Sequence, residues 1–149
     1  MTLETLFQIV NFGALIGWVF LLASPWIPRL ADVVAGYLLP GVFAVIYIGL
    51  IAANAGSVEG GYMSLGDVMG IFDVPGAALA GWIHYLAFDL VAGALIVRLA
   101  RRAELGFGWV IPCLLLTFLV GPIGLLAYLA LVRWRAPGAP FPSPSEGAR

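Results

Sequence analysis

The chain has 149 residues, of which 62% are hydrophobic and only 10% are charged, and its mean hydropathy is +1.05. Soluble domains carry roughly 25% charged residues, so this composition excludes a soluble globular enzyme. The scarcity of charge also excludes a disordered chain and a coiled coil, and the single cysteine excludes a disulfide scaffold. A net charge of −1, with seven arginines and no lysine, offers no basic surface for nucleic acid. The sequence therefore predicts an integral membrane protein whose surroundings are the lipid bilayer.

Four apolar stretches are long enough to cross a bilayer, whose hydrocarbon core of about 30 Å needs about 20 helical residues. They are residues 5–23, 33–53, 74–97 and 109–132. We expect an all-α bundle of four transmembrane helices over residues 1–135 and an unstructured Pro-rich tail over residues 136–149. No Lys or Arg precedes the first span, so we expect it to be retained, and the lack of a transit segment indicates a bacterial plasma or intracytoplasmic membrane.

The connections between the spans differ in kind. Pro25 and Pro28 end the first helix in a short turn, which makes the first two spans antiparallel. The second connection is longer and acidic, and Ser64 followed by Asp67 has the pattern of a helix N-cap, so we predict a short interfacial helix there. The first and third connections hold most of the arginines, so the positive-inside rule favours both termini outside.

The third span carries two ionisable groups, His84 and Asp89. Such a side chain at mid-span costs on the order of 2.5–3.5 kcal/mol to insert, so we expect both to face the bundle interior. A helical projection groups them with Ala78, Gly81, Trp82, Tyr85, Phe88 and Ala92. The opposite arc holds Leu79, Ile83, Leu86, Ala87, Leu90, Ala94 and Val97. We predict that this second, aliphatic arc faces lipid.

His84 and Asp89 lie about 140° apart around the helix axis, so their partners must come from other helices. Gln8 and Asn11 on the first span are candidates, either as lining of a site or as interhelical hydrogen-bonding groups. The fourth span offers a stripe of small and polar residues: Cys113, Thr117, Gly121, Gly124 and Tyr128. We interpret this stripe mainly as packing, with Thr117 and Tyr128 also candidates for contact with a substrate.

The inventory of reactive groups is short. One histidine and one cysteine cannot make a zinc site, a di-iron cluster or a haem pair, and no nucleotide-binding loop or serine nucleophile motif is present. We therefore expect neither a metal nor a cofactor. What remains is acid–base chemistry by His84 and Asp89 on an apolar substrate, or binding without chemistry. The rings of Trp82, Tyr85 and Phe88 either fill the interior of the bundle or, around a His and an Asp, suit a long conjugated hydrocarbon.

Three segments carry a resemblance to a known family. They read GWIHYLAFDL at residues 81–90, PCLLLTF at residues 112–118 and GPIGLLAY at residues 121–128. Together they resemble the abscisic-acid-deficient-four-like family of small four-helix membrane proteins, and the likeness covers nearly the whole chain before the tail. The positions that match the family's motifs are Trp82, His84, Asp89, Thr117 and Pro122. The plant member is implicated in converting violaxanthin into neoxanthin, so the resemblance implies a carotenoid as ligand.

The family reaction suits the residues present. Isomerising an epoxy-xanthophyll to an allenic alcohol is redox neutral and needs one acid and one base, roles that His84 and Asp89 would divide. Our first hypothesis is therefore a cofactor-free isomerase similar to neoxanthin synthase. The alternative is a non-catalytic subunit that binds pigment or braces a larger, for example photosynthetic, membrane complex. A homo-oligomer stays open under both hypotheses, and a transporter is disfavoured by the small number of helices.

Overall fold

Helices make up nearly all of the chain that the structure describes. A computed structural model defines residues 2–57 and 61–136, and no strand occurs among them. The helices are α1 (Leu3–Leu22), α2 (Pro28–Val33), α3 (Leu39–Asn54), α4 (Leu65–Phe72), α5 (Pro75–Arg102), α6 (Phe107–Val120) and α7 (Pro122–Arg135). The chain divides into two compact units, Met1–Val91 and Ala92–Arg149. The all-α class is confirmed, and the predicted tail beyond Ala136 lies outside the described residues.

Three continuous helical segments are long and apolar enough to cross a membrane: Leu3–Leu22, Pro28–Asn54 and Pro75–Arg102. The second of them joins α2 to α3 through a π-helical turn over Val34–Leu38. Pro40 follows that turn and lacks the N–H that an α-helix would use, and its ring would clash with the carbonyl four residues earlier. A widened turn relieves the clash, so the helix continues across the proline instead of ending there.

The predicted interfacial helix is α4. The Ser64 hydroxyl accepts a hydrogen bond from the Asp67 backbone N–H at 3.1 Å, which satisfies one free donor of the first turn. Phe72, at the end of α4, packs against Gly81 of α5 so closely that a Cβ at Gly81 would lie 2.7 Å from the Phe72 ring. The capping signal in the sequence therefore located a real helix, and its last residue covers part of α5.

The faces of α5 are the reverse of the prediction. Every residue of the aliphatic arc that we expected in lipid is buried: Leu79, Ile83, Leu86, Ala87, Leu90, Ala94 and Val97. On the arc expected inside, Trp82 is 40% and Phe88 is 63% exposed, and His84 is exposed too. Asp89 alone of the two ionisable groups is buried. The reason is close packing: a Cβ at Gly17 of α1 would lie 2.7 Å from Leu90, so aliphatic side chains fill the contact between helices.

The structure does not confirm the predicted fourth span over residues 109–132. Those residues belong to two helices of 14 residues each, α6 and α7, separated by Gly121, whose positive φ of 42° is a conformation that glycine tolerates. Pro122 then starts α7, a position where its missing N–H costs nothing. The two helices fold back on each other, because the ring of Trp109 at the start of α6 meets that of Trp134 near the end of α7, 6.4 Å between centroids. We call this pair the hairpin.

Candidate functional site

The first contact of the candidate site joins α5 to α1. The Trp82 indole Nε1–H donates to Asn11 Oδ1 at 3.0 Å, and the Phe7 ring lies 6.1 Å from the Trp82 ring. Asn11 in turn donates its Nδ2–H to the Phe7 carbonyl at 2.7 Å, which fixes the orientation of its amide. Asn11 is thus held by its own helix and presents its oxygen to α5.

The second contact joins α5 to α3. His84 stacks on Phe88 one turn later, with 4.5 Å between ring centroids, and meets Tyr47 of α3 at 5.7 Å. His84 is exposed and sits among aromatic rings. The imidazole therefore opens towards the surroundings of the protein and does not line an internal cavity.

Asp89 has the most unusual environment of the site. Its side chain is only 8% exposed, and its Oδ2 atom has no hydrogen-bond partner within the described residues. The Tyr85 hydroxyl, one turn earlier on α5, donates to the Asp89 carboxylate, and the Tyr85 ring stacks on Trp82 at 5.3 Å. Tyr85 therefore links a buried carboxylate to a half-exposed ring.

Two stacked ring pairs lie on α5, Trp82 with Tyr85 and His84 with Phe88. We call these four side chains the aromatic face. Asp89 lies beside it and is reached through Tyr85. Tyr47 and Phe7 extend the face onto α3 and α1. Sequence reasoning missed these last two, because each span holds other aromatic rings and nothing in the pattern singles out Phe7 or Tyr47. Chemically, the surface offers a carboxylate, a phenol and an imidazole next to an apolar, ring-lined boundary.

Other residues predicted for the site make contacts away from His84 and Asp89. Gln8 is exposed and donates to Glu4 one turn earlier at 3.3 Å, so it is not brought to His84 or Asp89. Thr117 and Tyr128 are fully buried in the second unit, where the Thr117 hydroxyl donates to the Cys113 carbonyl of its own helix at 2.8 Å.

The contact between α6 and α7 explains the small-residue stripe. A Cβ at Gly124 would overlap the backbone of Thr117, so the two helices of the hairpin touch at this glycine. Cys113 and Tyr128 are buried on the same two helices. The packing interpretation of the stripe therefore holds within the hairpin.

Two further features bear on what the protein can bind. An open apolar groove of about 600 Å³ lies along the second spanning segment, between Val33 and Ile46, and none of the predicted site residues lines it. Within residues 2–57 and 61–136, no group of three His, Cys, Asp or Glu side chains could hold a metal ion.

Comparison with known proteins agrees with the motifs of α5 and the hairpin. A family model described as ABA DEFICIENT 4-like matches residues 5–128. This range includes α1 from Thr5 onwards, the aromatic face, Asp89 and the hairpin as far as Tyr128. No curated protein and no solved structure matches the chain. Since the match spans well over half of the sequence, the chain belongs to the ABA DEFICIENT 4-like family.

Proposed function

We propose that this protein binds a carotenoid at the aromatic face of α5 and isomerises its 5,6-epoxide to an allenic alcohol without a cofactor. Asp89 is the observation that carries the proposal. It is a buried carboxylate with one unpartnered oxygen in a membrane-spanning helix, next to rings that open outward. Burying such a group opposes folding, so its presence is better explained by function than by stability.

Access to the site supports a substrate that is dissolved in the bilayer. Trp82 and Phe88 are 40% and 63% exposed, so their rings contact whatever surrounds the membrane-spanning helices. A carotenoid diffusing within the bilayer reaches such a face sideways and needs no passage from water. The flat rings of the aromatic face offer stacking contact to a planar polyene, which aliphatic side chains would not.

The proposed reaction adds one proton to the substrate and removes another from it, so the product is an isomer of the substrate. An acid protonates the epoxide oxygen as its bond to the ring carbon next to the chain breaks. A base removes the hydrogen from the adjacent vinylic carbon. The C–H electron pair forms the second double bond of the allene, and the oxygen stays on the other ring carbon as a tertiary alcohol. Because atoms and electrons balance, no oxidant, reductant or metal is required.

In the proposed reaction, three side chains share these roles. Asp89 and Tyr85 are hydrogen-bonded and form one acid–base unit, while His84 offers a second titratable group on the other flank of the aromatic face. In our proposal Asp89 and His84 divide the roles of acid and base between them, in either order. Tyr85 connects the buried carboxyl group to the exposed surface. Trp82, with its indole fixed by Asn11, and Phe88 hold the polyene.

The test is product formation in a carotenoid-producing host that accumulates an epoxy-xanthophyll. We expect Asp89→Asn and His84→Ala each to lower the yield of the allenic isomer by about 10²- to 10⁴-fold, the usual contribution of general acid–base catalysis. Tyr85→Phe should cause a smaller loss. Asp73→Asn and Tyr62→Phe are matched controls, because both residues are exposed and lie outside α5. Full activity in both the Asp89 and the His84 variants would remove the proposal.

The exposure of the aromatic face also favours a second function, that of a pigment-binding or bracing subunit. A partner protein or a second copy could cover the same rings. The two functions differ in the pigment that is recovered: the binding subunit returns a stoichiometric carotenoid unchanged, whereas the isomerase returns the allenic product. Trp82→Ala should lower pigment retention in either case, and Trp26→Ala, at a residue 80% exposed outside the spans, should not.

A further inference from the structure

The hairpin is too short to cross a membrane with either of its helices. Fourteen residues extend about 21 Å, against a hydrocarbon core of about 30 Å. Because the first turn of α6 contacts the last turn of α7, the chain leaves the hairpin at the end where it entered. The side chains around the tip at Gly121 are apolar and exposed, with Leu119 at 67% and Ile123 at 55%. Such a tip suits the bilayer interior.

The open end of the hairpin has the opposite character. The guanidinium carbon of Arg135 lies 3.9 Å from the centroid of the Trp109 ring and 4.4 Å from that of Trp134. Both indoles are at least half exposed, and Arg133 is exposed beside them. Tryptophan and arginine are the residues that favour the membrane–water interface. We call Trp109, Arg133, Trp134 and Arg135 the basic end of the hairpin.

A hairpin that re-enters the membrane changes how the arginines are distributed between the two sides of the membrane. Three crossings place the α1–α2 turn and the end of α5 on the same side, and the hairpin then returns Arg133 and Arg135 to that side. All the arginines of residues 2–57 and 61–136 would share it: Arg29, Arg98, Arg101, Arg102, Arg133 and Arg135. A fourth crossing would instead divide them. The positive-inside rule strongly favours the first arrangement.

We propose that the hairpin is re-entrant and that its basic end binds the phosphate headgroups of anionic phospholipids in the cytoplasmic leaflet. Arginine forms charge-assisted hydrogen bonds with phosphate, and the stacking of Arg135 on two indoles holds its guanidinium at the depth of the headgroups. Anionic lipids are concentrated in that leaflet. The inference does not depend on the carotenoid chemistry, since it concerns another part of the chain.

The first experiment tests the sidedness. Two cysteine variants report the two ends of the described chain: Thr2→Cys before α1 and Ala136→Cys after α7. The native Cys113 is only 5% exposed, and the wild type measures its background labelling. A membrane-impermeant maleimide should label Thr2→Cys in intact cells and Ala136→Cys only in inverted vesicles. Ser57→Cys, in the connection after α3, should behave like Thr2→Cys. Labelling of Ala136→Cys and Thr2→Cys from the same side would overturn the proposal.

The second experiment tests the lipid. The full-length protein is placed in vesicles of phosphatidylcholine with one quarter phosphatidylglycerol, and quenching of tryptophan by brominated phosphatidylglycerol is compared with quenching by brominated phosphatidylcholine. We expect stronger quenching by the anionic lipid. The double variant Arg133→Gln with Arg135→Gln should reduce the affinity of the protein for phosphatidylglycerol, relative to phosphatidylcholine, roughly 10-fold or more. Arg29→Gln, at an exposed arginine outside the hairpin, is the control. Equal quenching by both lipids, or an unchanged preference in the double variant, would refute the headgroup site.

Discussion

The two units use their polar side chains in different ways. In the first, one polar pair joins two helices and one polar atom stays unpartnered: Trp82 donates to Asn11, and Asp89 keeps one buried oxygen free of any hydrogen bond from the described residues. In the hairpin, the Thr117 hydroxyl donates to a carbonyl of its own helix, and Thr117 is packed against Gly124. The comparison indicates that the hairpin is built for close packing, whereas the first unit retains polar groups that packing does not explain.

The largest effect should come from disturbing the hairpin contact. Gly124→Ala places a methyl group on the backbone of Thr117, so the helices must separate, and we expect the free energy of unfolding to fall by about 3 kcal/mol. Unfolding by sodium dodecyl sulfate in mixed micelles measures this change. Gly108→Ala is the control, since a Cβ there meets nothing within 4 Å. Equal stability of the two variants would show that the helices do not touch at Gly124.

Asp89→Asn should separate function from stability. The amide keeps an acceptor for the Tyr85 hydroxyl and replaces an ionisable group at a buried position, so we expect the free energy of unfolding to rise by about 1 kcal/mol while product formation is lost. The same titration measures it, with Asp73→Asn unchanged. A variant that unfolds more easily than the wild type would mark Asp89 as a structural group and would weaken the contrast between the units.

Asn11→Ala removes the acceptor of the Trp82 indole. Interhelical hydrogen bonds in membranes contribute about 0.6–2 kcal/mol, and we expect a loss of about 1 kcal/mol together with weaker pigment retention, because Trp82 is no longer oriented. Gln8→Ala should change neither quantity, since Gln8 is exposed and bonds only to Glu4 among the described residues. Equal behaviour of the two variants would mean that the Asn11 contact does not position the aromatic face.

The smallest effect is expected for Thr117→Val. Its hydroxyl bonds to a carbonyl within α6, and valine has nearly the same shape, so the free energy of unfolding should change by less than about 0.5 kcal/mol and product yield not at all. Pigment extraction and the detergent titration test both statements. Loss of product from a stably folded Thr117→Val protein would instead assign Thr117 to the substrate site, as the sequence suggested.

Hydropathy alone located the first three spans but misjudged how they pack. We assumed that polar residues of α5 turn inward, yet the contact with α1 is made by aliphatic residues such as Leu90 against Gly17. In lipid no hydrophobic force drives one helix against another, so close steric fit has a large share in deciding which face of a helix is buried. Aromatic side chains such as Trp82 and Phe88 are stable in contact with lipid, so the arc that carries them can face outward. The helical projection assigned that arc to the interior and therefore reversed the two faces.

Hydropathy also failed to predict the hairpin. Residues 109–132 are apolar throughout, so a hydropathy window sees one span, although Gly121 followed by Pro122 is a signal for a helix to stop and restart. The Ser64 cap, by contrast, was recognised because its pattern is local. The ring contacts of His84 and Trp82 with other helices could not be predicted, since Tyr47 and Phe7 come from helices whose rotation the sequence does not specify.

The most direct test of the central claim uses the purified wild-type protein in lipid nanodiscs with an added 5,6-epoxy-xanthophyll and nothing else. The account predicts conversion to a product of identical mass with the absorption spectrum of an allenic carotenoid, and a slower reaction when the vinylic hydrogen is replaced by deuterium. Asp89→Asn protein should bind the same pigment and return it unchanged. Recovery of intact epoxide from the folded, pigment-loaded wild type would contradict the proposed chemistry and leave the aromatic face as a binding surface.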